Sequence, residues 1–303
     1  MKKILPILFM FSLLISACSA QTNNPSFTED GRLKISVSIP SIQWLVDQIG
    51  GEQVQTQSLT TSGDDPHTYE PSPAQMTALA TSDFYFSNGV EFEEVWIPKF
   101  SGANSNLQVV DISVGVERIP GADHQHEEGA DHQQEEGDEH EGLDPHIWLS
   151  AENMRQIANN IASTLKSADP ENSAVYQSNL EKALGIIEDV NNQLTQKLSQ
   201  TQRQQFLIIH PSLGYFADAF GLQMIPVEVD GQEPSPTQLV DILNASKTYG
   251  IHTLFTQTGT NPLNVQMLAE QAGIDQIIEI DPMLYDWSAN MLFIGDSLQA
   301  ALN

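Results

Sequence analysis

From Leu33 onward the chain alternates short apolar runs with stretches whose apolar positions recur every three or four residues, the pattern of strands alternating with amphipathic helices. Strands are predicted over Leu33 to Ile39, Val54 to Leu59, Phe84 to Ser87 and Leu107 to Val110, and helices over Ile42 to Ile49, Pro73 to Ala80 and Glu91 to Lys99. Ser72 before Pro73 supplies an N-cap and a first-turn proline. A helix capped by Ser150 reaches about Ser167, where Asp169-Pro170 stops it. A longer one runs from Ser173 to Ser199 with Leu180, Leu184, Ile187, Leu194 and Leu198 on one face. At about 1.5 Å per residue it spans roughly 40 Å, enough for a stiff backbone between two lobes. The alternation then resumes, with strands over Phe206 to Ile209, Met224 to Val229, Thr253 to Thr256 and Ile277 to Ile280. Helices accompany them over Leu213 to Ala219, Thr237 to Tyr249, Leu263 to Ala272 and Trp287 to Leu302. This order predicts an α/β protein of two lobes, each a roughly four-stranded parallel sheet flanked by helices, joined by one long rigid helix. The expected boundaries are 33–170 for the N-terminal lobe, 171–202 for the linking helix and 203–303 for the C-terminal lobe.

The beginning of the chain has a different character. Lys2 and Lys3 precede an apolar stretch from Ile4 to Ile15, so 1–17 reads as a signal peptide, too short for a comfortable membrane span. It ends in Ile15-Ser16-Ala17-Cys18, which resembles the lipobox of bacterial lipoproteins, and the polar segment 18–32 reads as a lipid tether. Cys18 is the expected lipidation site and the only cysteine. The mature chain then has no further thiol, and any metal must be held by His, Asp or Glu. The formal charge of −28 becomes −30 once Lys2 and Lys3 are lost, which argues against nucleic-acid partners and attracts cations diffusely.

One segment changes the picture further. Residues 121–142 mix His, Asp, Glu, Gln and Gly with no lysine or arginine and no large apolar residue, so they cannot bury a core and should form a mobile loop. His124, His126, His132 and His140, half of the chain's eight histidines, make this loop an auxiliary, weak metal-binding tract. It stops at Asp144-Pro145-His146, where the proline ring fixes the backbone and delivers His146 just before an apolar run.

Three histidines outside the loop share a setting. His67 lies in DDPHTYEPSP, His146 in DPHIWLS and His210 in FLIIHPSLGYF at the end of an apolar strand, and Asp281 in IIEIDPMLYDW follows the last predicted strand. In open α/β sheets ligands gather at the carboxyl ends of strands, where all four candidates fall. Three imidazoles and one carboxylate suit Zn²⁺, whereas Mn²⁺ prefers a larger share of oxygen. A site with four protein ligands is closed and favours binding over catalysis; with Asp281 away, water completes it. Glu70, close to His67, is expected to orient that imidazole, and His252 reads as structural.

The segments DPHTYEPSP, DPHIWLS, HPSLGYFADAFGL and EPSPTQL, in this order after a lipobox, resemble the metal-specific solute-binding lipoproteins of bacterial ABC importers, the ZnuA-like zinc group. The resemblance covers nearly the whole mature chain. It implies two β/α lobes joined by a rigid helix, with a metal buried between them. It also implies a monomer, lipid-anchored at the outer face of the cytoplasmic membrane or in the periplasm, that hands its ion to a permease driven by a separate ATPase. Carried over by position, the ligands are His67, His146 and His210; manganese-binding relatives tend to have glutamate where this chain has His210. Asp281 matches an aspartate ligand of some members, and near Gln257 relatives commonly carry an acidic residue. Two other classes are a zinc hydrolase, against which the chain lacks HExxH and GxSxG motifs, and a surface adhesin or metal-storage lipoprotein.

Overall fold

The computed structural model describes residues 31–121, 142–228, 232 and 234–303. The signal peptide, Cys18, and His124, His126, His132 and His140 lie outside the described residues. The first sheet contains β1 (Leu33–Val37), β2 (Val54–Ser58), β3 (Phe84–Ser87) and β4 (Gln108–Asp111) in the order β2-β1-β3-β4, all parallel. Phe-Tyr-Phe-Ser of β3 is buried throughout, as befits a central strand covered on both faces. The connecting helices are α1 (Pro40–Gly50), α2 (Pro73–Leu79) and α3 (Phe92–Ala103). Ser72 caps α2 in a capping box with Gln75. α3 outruns its predicted end at Lys99 and continues through Pro98 to Ala103. The reason is tertiary: Phe100 is fully buried against Tyr85, with ring centroids 5.0 Å apart, and that packing outweighs the backbone bond lost at proline.

Between the sheets lie α4 (Ala151–Ala168), capped by Ser150, and α5 (Ser173–Leu198), 26 residues long. The buried face of α5 is Tyr176, Leu180, Ala183, Ile187, Val190, Leu194 and Leu198, alternating steps of three and four for most of its length; Leu184 sits at its flank, partly buried.

The second sheet repeats the first. Strands β5 (Gln205–Ile208), β6 (Gln223–Pro226), β7 (Thr253–Gln257) and β8 (Gln276–Ile280) lie parallel in the order β6-β5-β7-β8. They are accompanied by α6 (Gly214–Phe220), α7 (Pro236–Tyr249), α8 (Pro262–Ala272) and α9 (Trp287–Leu302). β6 ends at Pro226, short of the predicted Val229. Proline has no N–H to extend the ladder, and the Glu228 N–H turns to the Ile209 carbonyl, 2.9 Å away.

The protein is thus two four-stranded parallel sheets flanked by helices with one long helix between them. One hydrophobic core runs through both lobes by way of α1, α4, α5 and α9. Trp287 of α9 packs on Trp44 of α1 with centroids 5.8 Å apart, and its indole N–H donates to the Trp148 carbonyl at 2.7 Å. Trp148 in turn donates to the Pro282 carbonyl at 2.8 Å. A separate, smaller core of Leu207, Ile242, Leu254, Val265 and Ala269 lies under α7 and α8. Among the described residues no helix is long and apolar enough to cross a membrane.

Candidate metal centre

Because both sheets are parallel and face each other across a cleft, the loops after β2, β3, β5, β6 and β7 line one cavity of about 1080 Å³. His67 is carried by the loop after β2. Its own N–H donates to Asp65 Oδ1 at 2.9 Å, and Thr68 Oγ1 donates to the other oxygen of Asp65 at 2.8 Å, which fixes the turn. His146 follows Asp144-Pro145 and is buried; Asp144 Oδ1 accepts both its backbone N–H and its Nδ1–H at 2.8 Å. The apolar residues Ile147–Leu149 then form a buried 3-10 turn that anchors the segment in the common core. His210 stands two residues beyond β5, its carbonyl accepting from the Ser212 N–H at 2.8 Å.

These three imidazoles converge. Ring centroids are 4.9 Å apart for His67 and His210, 5.4 Å for His67 and His146, and 5.3 Å for His146 and His210. One ligand nitrogen from each lies within 4.8 Å of the others. Every Nδ1 meets a carboxylate: Glu91 at 2.9 Å from His67, Asp144 at 2.8 Å from His146, and Glu228 at 3.1 Å from His210. An ionised carboxylate only accepts, so each Nδ1 carries the proton and each Nε2 keeps its lone pair. The His67 and His210 Nε2 atoms face each other at 3.1 Å. Two lone pairs at that distance repel, and a cation between them removes the repulsion.

The environments differ in electrostatics. Burial lowers the His67 pKa, but the hydrogen bond and charge of Glu91, with Asp65 and Asp144, outweigh it and leave the imidazole above its ordinary 6.5. His146 is held below 6.5, chiefly by burial and further by His210 and His67, against the pull of Asp144. For Glu91, burial acts upward, yet its bond to His67 and the charges of His67 and His146 hold it below the usual carboxylate value. Two residues on, the buried Glu93 is pushed up to about 7 by burial. It accepts from the Asn88 and Gly89 N–H groups at 3.1 and 2.8 Å and from Ser38, bracing the turn that carries Glu91.

Two expected participants are elsewhere. Glu70 is exposed, and the carboxylate at His67 is Glu91, the N-cap residue of α3 in the turn after β3. Asp281 stands outside the imidazole cluster, accepting from Ser62 Oγ at 2.5 Å and from the Met283 N–H at 2.9 Å. His252 is exposed, away from the cluster, near Asp275. None of the three carboxylates was expected in this role: Glu91 and Glu228 have no local signal in the sequence, since each reaches its histidine only through the fold, whereas the position of Asp144 two residues before His146 is a signal that could have found it.

The family model for the periplasmic component A of a zinc-uptake complex, ZnuA, matches residues 35–294. The chain belongs to the ZnuA family. Within it, the chain is 30% identical over 294 residues to the high-affinity zinc uptake system protein ZnuA of Paracoccus denitrificans, covering 89% of each. It is also similar to the manganese-binding lipoprotein MntA of Halalkalibacterium halodurans, at 24% identity over 274 residues, 89% of this chain and 85% of that one. Among solved structures, that of a ZnuA deletion mutant with zinc bound superposes with a TM-score of 0.81 and 32% identity, over 90% of this chain and 98% of the other.

Proposed function

We propose that this ZnuA-family protein is an extracytoplasmic receptor that binds one Zn²⁺ with high affinity and delivers it to the permease of an ABC importer powered by a separate ATPase. The observation that carries the reading is the convergence of three imidazoles, one ring nitrogen of each lying within 4.8 Å of the others and each Nδ1 braced by its own carboxylate. His67, His146 and His210 are the metal ligands, and water takes the fourth position because Asp281 is engaged elsewhere. An all-nitrogen protein donor set favours Zn²⁺ over Mn²⁺. The zinc-uptake names of the relatives support the same choice, and the family consists of importer receptors, not enzymes. The reading includes export to the cell envelope, a lipid anchor at Cys18, a monomeric state, and lobes 33–170 and 203–303 joined through 171–202.

The test is competitive titration of zinc and manganese into the protein beginning after Cys18, beside a variant with alanine at His67, His146 and His210. One tight zinc site that vanishes in the variant is expected. Tight binding that survives the variant moves the site into the acidic His-rich segment and replaces transport by buffering or storage.

A further inference from the structure

Asp281 follows β8 in the second lobe, and both of its carboxylate oxygens have partners. Oδ1 accepts the Met283 N–H at 2.9 Å within its own turn, while Oδ2 accepts Ser62 Oγ at 2.5 Å from the other lobe. Ser62 lies on the loop after β2, five residues before His67. That loop meets the second lobe again one residue later. Gly63 and Gly259, with φ of +85° and +95°, approach so closely that a Cβ on Gly259 would stand 2.5 Å from the Gly63 carbonyl oxygen. Thr60 Oγ1 lies 3.8 Å from the Met283 sulfur beside the same turn.

From Ser62 to His67 the loop is stiffened by its own polar bonds rather than by helix or strand. The Thr61 N–H and hydroxyl donate to Asp64 Oδ2 at 2.7 and 2.9 Å, and the His67 N–H and Thr68 hydroxyl donate to Asp65. A displacement at Ser62 is therefore carried to His67, the one imidazole of the three held by this loop.

We propose that Asp281 is a positioning residue acting across the cleft: through Ser62 it holds the 61–68 loop, and with it His67, against the second lobe, so that approach of the lobes completes the three-imidazole site. This rests on the zinc-receptor reading of that site. In this role Asp281 governs how long the ion stays and contributes no donor atom to it. Ser62→Ala removes this bond without removing a charge, so in that variant the association rate is kept and release is accelerated.

The test uses the full chain and its Ser62→Ala, Asp281→Ala and doubly substituted variants. Zinc release is followed into excess chelator, and the visible spectrum of the Co²⁺-loaded protein reports the donor set. Both single variants should release zinc about tenfold faster, the scale of one hydrogen bond to a charged group. The double variant should be no faster than Asp281→Ala, and all three should keep the wild-type cobalt spectrum, which His210→Ala alters. Release from Ser62→Ala at the wild-type rate overturns the proposal, as does a changed cobalt spectrum in Asp281→Ala, which would make Asp281 a ligand. A wild-type chain that binds no zinc overturns the receptor reading itself and this proposal with it, and the first titration shows that before any variant is made.

Discussion

The three histidines are alike in sequence and unlike in setting. Each has a proline beside it, Pro66, Pro145 and Pro211, which restricts the backbone where the imidazole leaves the chain. His146 is buried and held below 6.5, so as the medium becomes acidic His67, raised by Glu91, takes up a proton before His146 does. With Nδ1 already protonated, that proton must occupy Nε2 and compete with the metal. Zinc affinity should therefore begin to fall above pH 6.5 as pH decreases, earlier than a free imidazole would dictate. Glu91→Gln should weaken binding about tenfold at pH 8 through lost orientation of His67. It should also move the onset of the acid loss to lower pH, because the charge that raises His67 is gone. Zinc titrations of both proteins from pH 8 to pH 5 check this. A parallel drop with no change of onset would leave Glu91 a packing role only.

At the scale of elements, the contact between α5 and α9 joins the second lobe to the backbone of the molecule. Gly295 lies on α9 where it faces Leu194 of α5, and a Cβ there would come within 2.2 Å of the leucine Cδ2. Alanine would improve helix propensity, but the close approach leaves little room to realise the gain. Gly295→Val should destabilise the protein by about 2 kcal/mol through overpacking. Urea unfolding measures it, and an unchanged midpoint would mean that Leu194 finds another rotamer at no cost. The element-level reading also explains α3: Pro98 is a helix breaker in isolation, yet buried Phe100 carries the helix past it.

For the whole molecule, the three-imidazole cluster and the His-rich segment are separable in the chain. Pro120 and Leu143 form an antiparallel bridge, and the Gly121 N–H donates to the Gly142 carbonyl at 2.8 Å, so the segment leaves and rejoins the fold at a closed stem on the cavity rim. The described ends are already paired, and a short link can replace what lies between them. Replacing 122–141 by a short link should keep one tight zinc site and remove only weaker ones, as counted by equilibrium titration. Loss of the tight site would show that the segment supplies part of it. The cavity wall carries Asp64, Asp65, Glu91 and Glu94 and belongs to a chain of charge −28, which suits capture of a cation and repels anionic competitors.

The sequence by itself determined the element order, the number of strands in each sheet, the long central helix and the three histidines, because hydrophobic period, proline and capping residues are local signals. Val54 to Leu59 and Trp287 to Leu302 needed almost no adjustment against β2 and α9. Tertiary structure alone decided what each side chain meets. Glu91 takes the place expected of Glu70 beside His67 because the turns after β2 and β3 leave the same end of a parallel sheet; Glu228 lies beside His210 just past the end of β6 at Pro226; and Asp281 turned to Ser62 because the two lobes touch there. A spacing along the chain records turns and periods. It does not record the distance between a loop of one lobe and a carboxylate of the other, which is set only when one core is packed through both.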